Sequence, residues 1–151
     1  MKVIDKLWIR PFVPTDQSVA KALILAGMEE HWGFVDLTLN PDLDDIAHSY
    51  ADGIFLTAWL DDKLVGTGAL VPESLGVVRI VRMSVAKEYR RCGVGQAILQ
   101  RLCVQARMDG CHQIVLETTA TWTGAIKFYS TYGFRPIGTW DGDIHFELCL
   151  C

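Results

Sequence analysis

The sequence predicts an α/β (α+β) fold in which a mixed β-sheet has helices on both of its faces. Apolar segments of strand length alternate with amphipathic segments of helix length along the whole chain. Half of the 151 residues are hydrophobic and 21% are charged, so a packed core is expected rather than disorder. No repeat, low-complexity tract or linker interrupts the pattern, and the length suits a single domain over residues 1–151.

The pattern predicts strands and helices in the order βααβββαβαββ. They are strand Leu7–Phe12, a helix from Thr15 or Asp16 to about Glu30, a short helix from Asn40 to about Tyr50, strands Gly53–Leu60, Lys63–Val71 and Val77–Val85, helix Gly95–Met108, strand Gln113–Thr118, helix Thr123–Tyr132, and strands Arg135–Trp140 and Ile144–Leu150.

Local signals set the boundaries in the first half of the chain. A side-chain oxygen at Thr15 or Asp16 can cap the first helix. Pro41 suits the first turn of the second helix, where its missing N–H costs no hydrogen bond. Asp61-Asp62 separates two apolar runs and reads as the turn of a β-hairpin.

In the second half of the chain, helical spacing defines two stripes that face the core. The stripe of helix Gly95–Met108 consists of Ile98, Leu99, Leu102, Cys103 and Ala106. The stripe of helix Thr123–Tyr132 consists of Ala125, Phe128, Tyr129 and Tyr132. Gly133 follows as a natural left-handed helix terminator.

The segment Arg90-Arg91-Cys92-Gly93-Val94-Gly95 opens a helix and has the chemistry of an anion site. The first N–H groups of a helix have no intrahelical partner, and the helix dipole favours negative charge there. The two glycines let an anion approach the backbone, and the two arginines add cationic donors. A plain tight turn into the helix is the alternative.

Two nucleotide-binding motifs are excluded. The chain has no Gly-Lys pair, which the Walker loop requires, and Ile98 replaces the third small residue of a dinucleotide fingerprint.

Two motifs in this order resemble those of the GCN5-related N-acetyltransferase (GNAT) superfamily. Arg90-x-x-Gly93-x-Gly95 resembles its acyl-CoA pyrophosphate loop, and Ala125-x-x-Phe128-Tyr129-x-x-x-Gly133-Phe134 resembles its later helix motif. The resemblance implies a GNAT-type sheet whose strand Val77–Val85 splays away from the next strand. It also implies acetyl-CoA as cosubstrate and transfer of the acetyl group to a primary amine by direct attack in a ternary complex.

The resemblance further implies where acetyl-CoA binds. The pyrophosphate would lie at Gly93–Gln96, and the pantetheine arm would run beside strand Val77–Val85, with backbone contacts from Met83 and Val85. The implied donor-binding residues are Met83, Val85, Arg90, Arg91, Gly93, Val94, Gly95, Gln96 and Phe128.

Tyr129 occupies the position that carries the general acid in the family, where its hydroxyl would protonate the departing thiolate of CoA. A core aromatic is the alternative, because Phe128 and Tyr132 neighbour it at helical spacing. Trp122 stands where the family often has an asparagine that contacts the pantetheine arm.

The motifs do not determine the general base. Arg79 stands where many family members have a glutamate, and arginine cannot accept a proton. Arg79 could bind a carboxylate of the acceptor or be a solvated strand residue. Strand alternation places its side chain with Met83 and Val85, on the face opposite Arg82. Glu117 is the best remaining acidic candidate, with a structural carboxylate or a water chain to solvent as alternatives.

The acceptor would bind between the first two helices and the splayed strands, which points to the segment Glu29–Phe34. His31 and Trp32 would line this pocket, with His31 able to accept a proton. A capping histidine and a core tryptophan are the alternative. Nearby acids suit a cationic amine and Arg79 suits a carboxylate, so an amino-acid-like amine would satisfy both.

Composition narrows the range of partners. A net charge of −4 argues against nucleic-acid binding. No apolar run reaches membrane-spanning length and residues 1–5 do not begin a signal peptide, so a cytoplasmic protein without a membrane partner is expected. Five cysteines show no Cys-x-x-Cys spacing, so neither a disulfide framework nor a metal site is expected. A homodimer stays open.

Three classes of function remain. The leading one is an N-acetyltransferase that acts on a small amine, either amino-acid-like or polyamine-like. The second is a protein or peptide N-acetyltransferase, which would need an open groove for its substrate. A long, ordered segment around residues 31–41 would close the site and argue against this class. The third is a non-catalytic acyl-CoA-binding module, and the presence of Tyr129 argues against it.

Overall fold

The computed structural model describes residues 2–33, 36 and 39–150, so Phe34 of the predicted acceptor segment lies outside the described residues. The order of its elements confirms the predicted βααβββαβαββ. They are β1 (Trp8–Pro11), α1 (Gln17–Trp32), α2 (Ile46–Ser49), β2 (Ile54–Leu60), β3 (Lys63–Ser74), β4 (Val77–Val85), α3 (Val94–Met108), β5 (Gln113–Thr119), α4 (Thr123–Tyr132), β6 (Arg135–Trp140) and β7 (Asp143–Cys149).

The seven strands form one sheet in the order β1-β2-β3-β4-β5-β7-β6. Every neighbouring pair is antiparallel except β4 and β5, which run parallel. That parallel pairing is short, because Val77–Arg79 lie beside residues 113–115 and the register ends there. Beyond Arg79 the two strands separate, which confirms the predicted splay and opens a cleft in the middle of the sheet.

Each face of the sheet has its own hydrophobic core. One core lies under α3 and α4, and its largest fully buried members include Ile98, Leu102, Ile114 and Phe146. The other lies under α1 and α2, around Ile24, Leu43, Ile46 and Phe55. These two layers cover the sheet and leave the cleft between β4 and β5 as the gap in its centre. No helix within the described ranges is long and apolar enough to cross a bilayer.

A β-bulge in β4 corrects the predicted facing of its side chains. The register with β3 passes from Ala69–Val81 to Thr67–Ser84, so β4 contains one extra residue at this point. Arg82 sits in the bulge with a φ of 56°, in the left-handed region. Met83 and Val85 therefore pack in the core of α3 and α4, opposite the face of Arg79, and the predicted alternation was wrong beyond Val81.

The predicted helix from Asn40 to Tyr50 is also corrected, because it is two pieces. A 3₁₀ turn at Pro41–Asp44 precedes α2, and Asp45 between them leaves helical geometry with a φ of −148°. The Asp45 carboxylate accepts a hydrogen bond from the His48 N–H at 3.2 Å. This side-chain cap restarts the helix, as capping aspartates do.

Candidate functional site

The amino-terminal end of α3 lies beside the cleft and has the geometry of an anion site. Gly93 is the capping residue and adopts a φ of 89°, a conformation that favours glycine. Arg91, two residues earlier, is also left-handed, with a φ of 63°. The amides of Val94, Gly95 and Gln96 belong to the first turn of α3, where amides have no intrahelical acceptor. An anion placed at this turn would meet their N–H groups.

Three of the predicted donor-binding residues, Val85, Gly95 and Phe128, lie close together. A Cβ built on Gly95 would lie 3.4 Å from Phe128 Cζ and 3.5 Å from Val85 Cγ2. The end of β4, the start of α3 and the middle of α4 therefore converge on one small surface. The absence of a side chain at Gly95 lets these elements approach closely.

The two loop arginines have different surroundings. Arg90 donates from Nη1 and Nη2 to the two carboxylate oxygens of Glu30, at 2.7 and 2.8 Å, and from Nε to the Val85 carbonyl at 3.3 Å. The Arg90 guanidinium lowers the pKa of Glu30. Arg91 is exposed and has no side-chain partner in the described part of the chain. Only Arg91 is thus uncommitted toward a phosphate.

Tyr129 lies in the core beside the cleft and is only 8% exposed. Its ring makes edge-on contacts with Phe128 at 5.1 Å and Phe134 at 5.8 Å between ring centroids. Burial raises the pKa of Tyr129 well above its ordinary value of 10.0. No residue within 2–33, 36 or 39–150 forms a hydrogen bond with its hydroxyl. Tyr129 is therefore a core aromatic residue whose hydroxyl keeps its proton at neutral pH.

The predicted acceptor residue Arg79 and the predicted base Glu117 contact each other. Arg79 donates from Nη1 to Glu117 Oε2, and from Nε and Nη2 to Glu73 at 2.8 and 3.0 Å. Glu73 strengthens the hold of Arg79 on its proton and raises its pKa. The other Glu117 oxygen has no hydrogen-bond partner among the described residues. A carboxylate of an acceptor would reach Arg79 only by displacing Glu73 or Glu117.

His31 and Trp32 at the end of α1 contact the turn after β5. The His31 ring lies 4.5 Å from Trp122 and 4.7 Å from Trp32 between centroids, and His31 Nε2 lies 3.3 Å from Thr121 Oγ1. Trp32 is 46% exposed, so it is not a core tryptophan. Trp122 was not among the predicted site residues, although its place in the helix motif of the family was the available signal.

A second group that the sequence did not indicate surrounds Arg82. Arg82 donates to both oxygens of Asp42 at 2.7 and 2.9 Å and to Asn40 Oδ1 at 3.1 Å, and the Tyr50 hydroxyl donates to Asp42 at 2.5 Å. Burial alone would raise the pKa of Asp42, but the bonds from Arg82 and Tyr50 outweigh it, and the pKa falls below its ordinary value. Burial and Asp42 together raise the pKa of Tyr50 to about 12.

Neither the group around Arg79 nor the group around Arg82 contains the donors of a metal site. No group of three or more histidine, cysteine, aspartate or glutamate side chains suited to a metal ion occurs in the ranges that the structure describes.

A sheet that opens between two parallel strands, with a glycine-capped helix beside the opening, is the arrangement that the resemblance to the N-acetyltransferases implies. The family model described as "Acetyltransferase (GNAT) family" matches residues 8–134. The chain belongs to the acetyltransferase (GNAT) family.

Individual proteins are similar over most of the chain. Human N-acetyltransferase 8B is 29% identical over 144 residues, which are 90% of this chain and 63% of that protein. N-acetylaspartate synthetase of Rattus norvegicus is 32% identical over 112 residues, which are 72% of this chain and 38% of that protein. The chain thus spans less than two thirds of these relatives. Among solved structures, the PaiA N-acetyltransferase of Thermoplasma acidophilum in complex with coenzyme A superposes with a TM-score of 0.84 at 16% identity, covering 95% of this chain and 98% of that one.

Proposed function

We propose that this protein transfers the acetyl group of acetyl-CoA to the primary amine of a small molecule by direct attack in a ternary complex. The observation that carries the proposal is the opening between β4 and β5 beyond Arg79, with the first turn of α3 at its mouth. The opening offers the pantetheine arm a strand edge, and the turn offers the pyrophosphate its N–H groups. The PaiA neighbour, which was solved with coenzyme A, supports this donor.

The proposed donor site divides its work between backbone and side chains. The amides of Gly93–Gln96 would bind the pyrophosphate, and Arg91 would add an unpaired positive charge. Backbone groups of Met83 and Val85 would bind the pantetheine arm, while their side chains stay in the core beneath it. Phe128 would lie next to the arm, since it contacts the position of Gly95.

The proposed chemistry needs one acid and one base. An amine attacks the thioester carbonyl, and an N–H of β4 stabilises the tetrahedral oxyanion. The carbon–sulfur bond then breaks, and Tyr129 donates its proton to the departing thiolate. The nitrogen of the intermediate loses its second proton as the amide forms, and this proton restores the Tyr129 hydroxyl. Because burial raises its pKa, Tyr129 stays protonated at neutral pH. The free oxygen of Glu117 would take the proton that the acceptor ammonium must lose before attack.

For the acceptor, we propose an amino-acid-like amine. Glu73 and Glu117 provide two negative charges against the single positive charge of Arg79, which suits an ammonium group. The name of the relative N-acetylaspartate synthetase also points to an amino acid as acceptor. His31 and Trp32 would line the outer side of this pocket. A polyamine-like amine or a peptide is the alternative, and both enter the test below.

The test supplies acetyl-CoA and measures release of the CoA thiol with a panel of amines. The panel contains amino acids, their amides, polyamines and short peptides, and acetylated products are identified by mass spectrometry. We expect turnover with amino acids or their amides. Turnover with polyamines or peptides alone would overturn the acceptor class, and binding of acetyl-CoA without any turnover on the panel or on a metabolite extract would favour a non-catalytic module.

A further inference from the structure

The last turn of α1 contacts both sides of the donor cleft through two consecutive residues. Glu30 reaches the pyrophosphate loop, where it binds Arg90 with both carboxylate oxygens. His31 reaches the opposite side, where it contacts Thr121 and Trp122 in the turn after β5. One helical turn therefore connects the donor loop with residues of the proposed acceptor pocket.

The contacts of Arg90 show what a pyrophosphate would meet. Its Nε donates to Val85, and Nη1 and Nη2 each donate to Glu30, so the fork that would match a phosphate is already occupied by a carboxylate. Glu30 also places a negative charge next to a loop that would receive further negative charge. A pyrophosphate and Glu30 therefore compete for the same guanidinium.

We propose that Glu30 is a positioning residue that holds Arg90 until the acyl-CoA pyrophosphate takes its place. The inference rests on the proposed function, because it needs an acyl-CoA in the cleft.

The first experiment compares Glu30→Gln with Glu29→Gln. Glu29 is the matched control, because it is exposed and lies one residue away. Its substitution removes the same charge and leaves the Glu30–Arg90 pair in place. Calorimetric titration with CoA should show roughly fivefold tighter binding for Glu30→Gln, the size of one partly exposed ion pair, and little change for Glu29→Gln. Equal effects in both variants, or weaker binding of CoA by Glu30→Gln, would overturn the proposal.

A phosphate-free donor isolates the competition. Acetyl-pantetheine lacks the pyrophosphate, so Glu30→Gln should leave its KM as donor unchanged. A double-variant cycle adds Arg90→Gln, in which the gain from Glu30→Gln should fall below about twofold if Glu30 acts through Arg90. A gain that persists with acetyl-pantetheine, or one that is unchanged in the Arg90→Gln background, would show that Glu30 does not compete for this arginine.

The acceptor side is read from steady-state kinetics. At saturating acetyl-CoA, Glu30→Gln should leave the acceptor KM and kcat within about twofold of wild type, because the bound pyrophosphate has then displaced Glu30 from Arg90 in the wild-type protein as well. If the wild-type protein binds no CoA, the proposed function fails; if it binds CoA and turns over but the two variants behave alike, only the role of Glu30 fails.

Discussion

Arg79 on β4 and Glu117 on β5 form an ion pair across the point where the two strands separate. Arg79 is the last residue of β4 with a partner in β5, and Glu117 lies two residues beyond that partner. Glu73 completes the group from the end of β3. Arg79 stands where many family members have a glutamate, and it holds Glu117 at the point where the cleft begins.

The first prediction concerns Glu117 as the general base. Glu117→Gln should lower kcat by about 100-fold, the usual contribution of a positioned base, and leave the affinity for CoA unchanged. Glu73→Gln is the matched control, since it removes the other carboxylate of Arg79 and should cost less than about threefold. Similar losses in both variants would mean that the charge balance around Arg79 matters and that Glu117 is not the base.

The second prediction concerns Tyr129 as the general acid. Tyr129→Phe keeps the ring contacts and removes only the hydroxyl, so kcat should fall by about 100-fold while the dissociation constant of CoA stays the same. Tyr132→Phe, on the same face of α4, should have little effect on kcat. Because the pKa of Tyr129 lies above 10.0, the wild-type protein should not lose activity through this group on the alkaline side below that pH. Unchanged turnover in Tyr129→Phe would remove Tyr129 from the mechanism.

The order of the elements and the glycine-capped start of α3 could be predicted because both depend on local sequence. Short stretches of sequence are enough to recognise the hydrophobic period, the turn residues and the glycines at 93 and 95. The bulge at Arg82 could not be predicted, since a non-glycine residue takes a left-handed φ there. The regular alternation of side chains before Arg82 does not indicate a bulge. The Arg90–Glu30 pair joins residues far apart in sequence, and only the packing of α1 on the sheet places them together.

The third prediction concerns stability around Arg82. Asp42→Asn removes the charge that binds Arg82 and accepts from Tyr50, so the free energy of unfolding should fall by about 2 kcal/mol at pH 7. Asp44→Asn is the control, because Asp44 makes an exposed ion pair with Lys21 and the substitution should cost less than about 0.5 kcal/mol. Urea unfolding followed by circular dichroism measures both. A loss in Asp44→Asn as large as that in Asp42→Asn would contradict the structural role of the Arg82 cluster.

The same cluster gives a pH dependence with a definite sign. The folded-state pKa of Asp42 lies below its ordinary value of 3.8, so the ionised carboxylate stabilises the folded protein. This contribution is fully present above 3.8 and is lost as the pH falls through the folded-state pKa. The stability difference between wild type and Asp42→Asn should therefore stay constant from pH 7 to about pH 5 and shrink below about pH 4. A difference that grew on acidification would show that the Asp42 carboxylate does not stabilise the folded state.

The last prediction separates the two glycines of the proposed donor loop. Gly93 has a φ of 89°, while a Cβ on it would meet nothing closer than Ile4 Cδ1 at 3.7 Å, so its requirement is conformational and not steric. Gly93→Ala should lower the free energy of unfolding by about 1 kcal/mol and weaken CoA binding, because alanine disfavours the left-handed region. Gly95→Ala should stay within about 0.5 kcal/mol of wild type, since its Cβ meets the Phe128 ring at 3.4 Å and helix propensity offsets that contact. Asparagine tolerates the left-handed region, so Gly93→Asn should recover most of the stability and the CoA affinity. Recovery of stability without recovery of CoA affinity would mean that a side chain at position 93 blocks the pyrophosphate directly, and that the conformational account of this glycine is wrong.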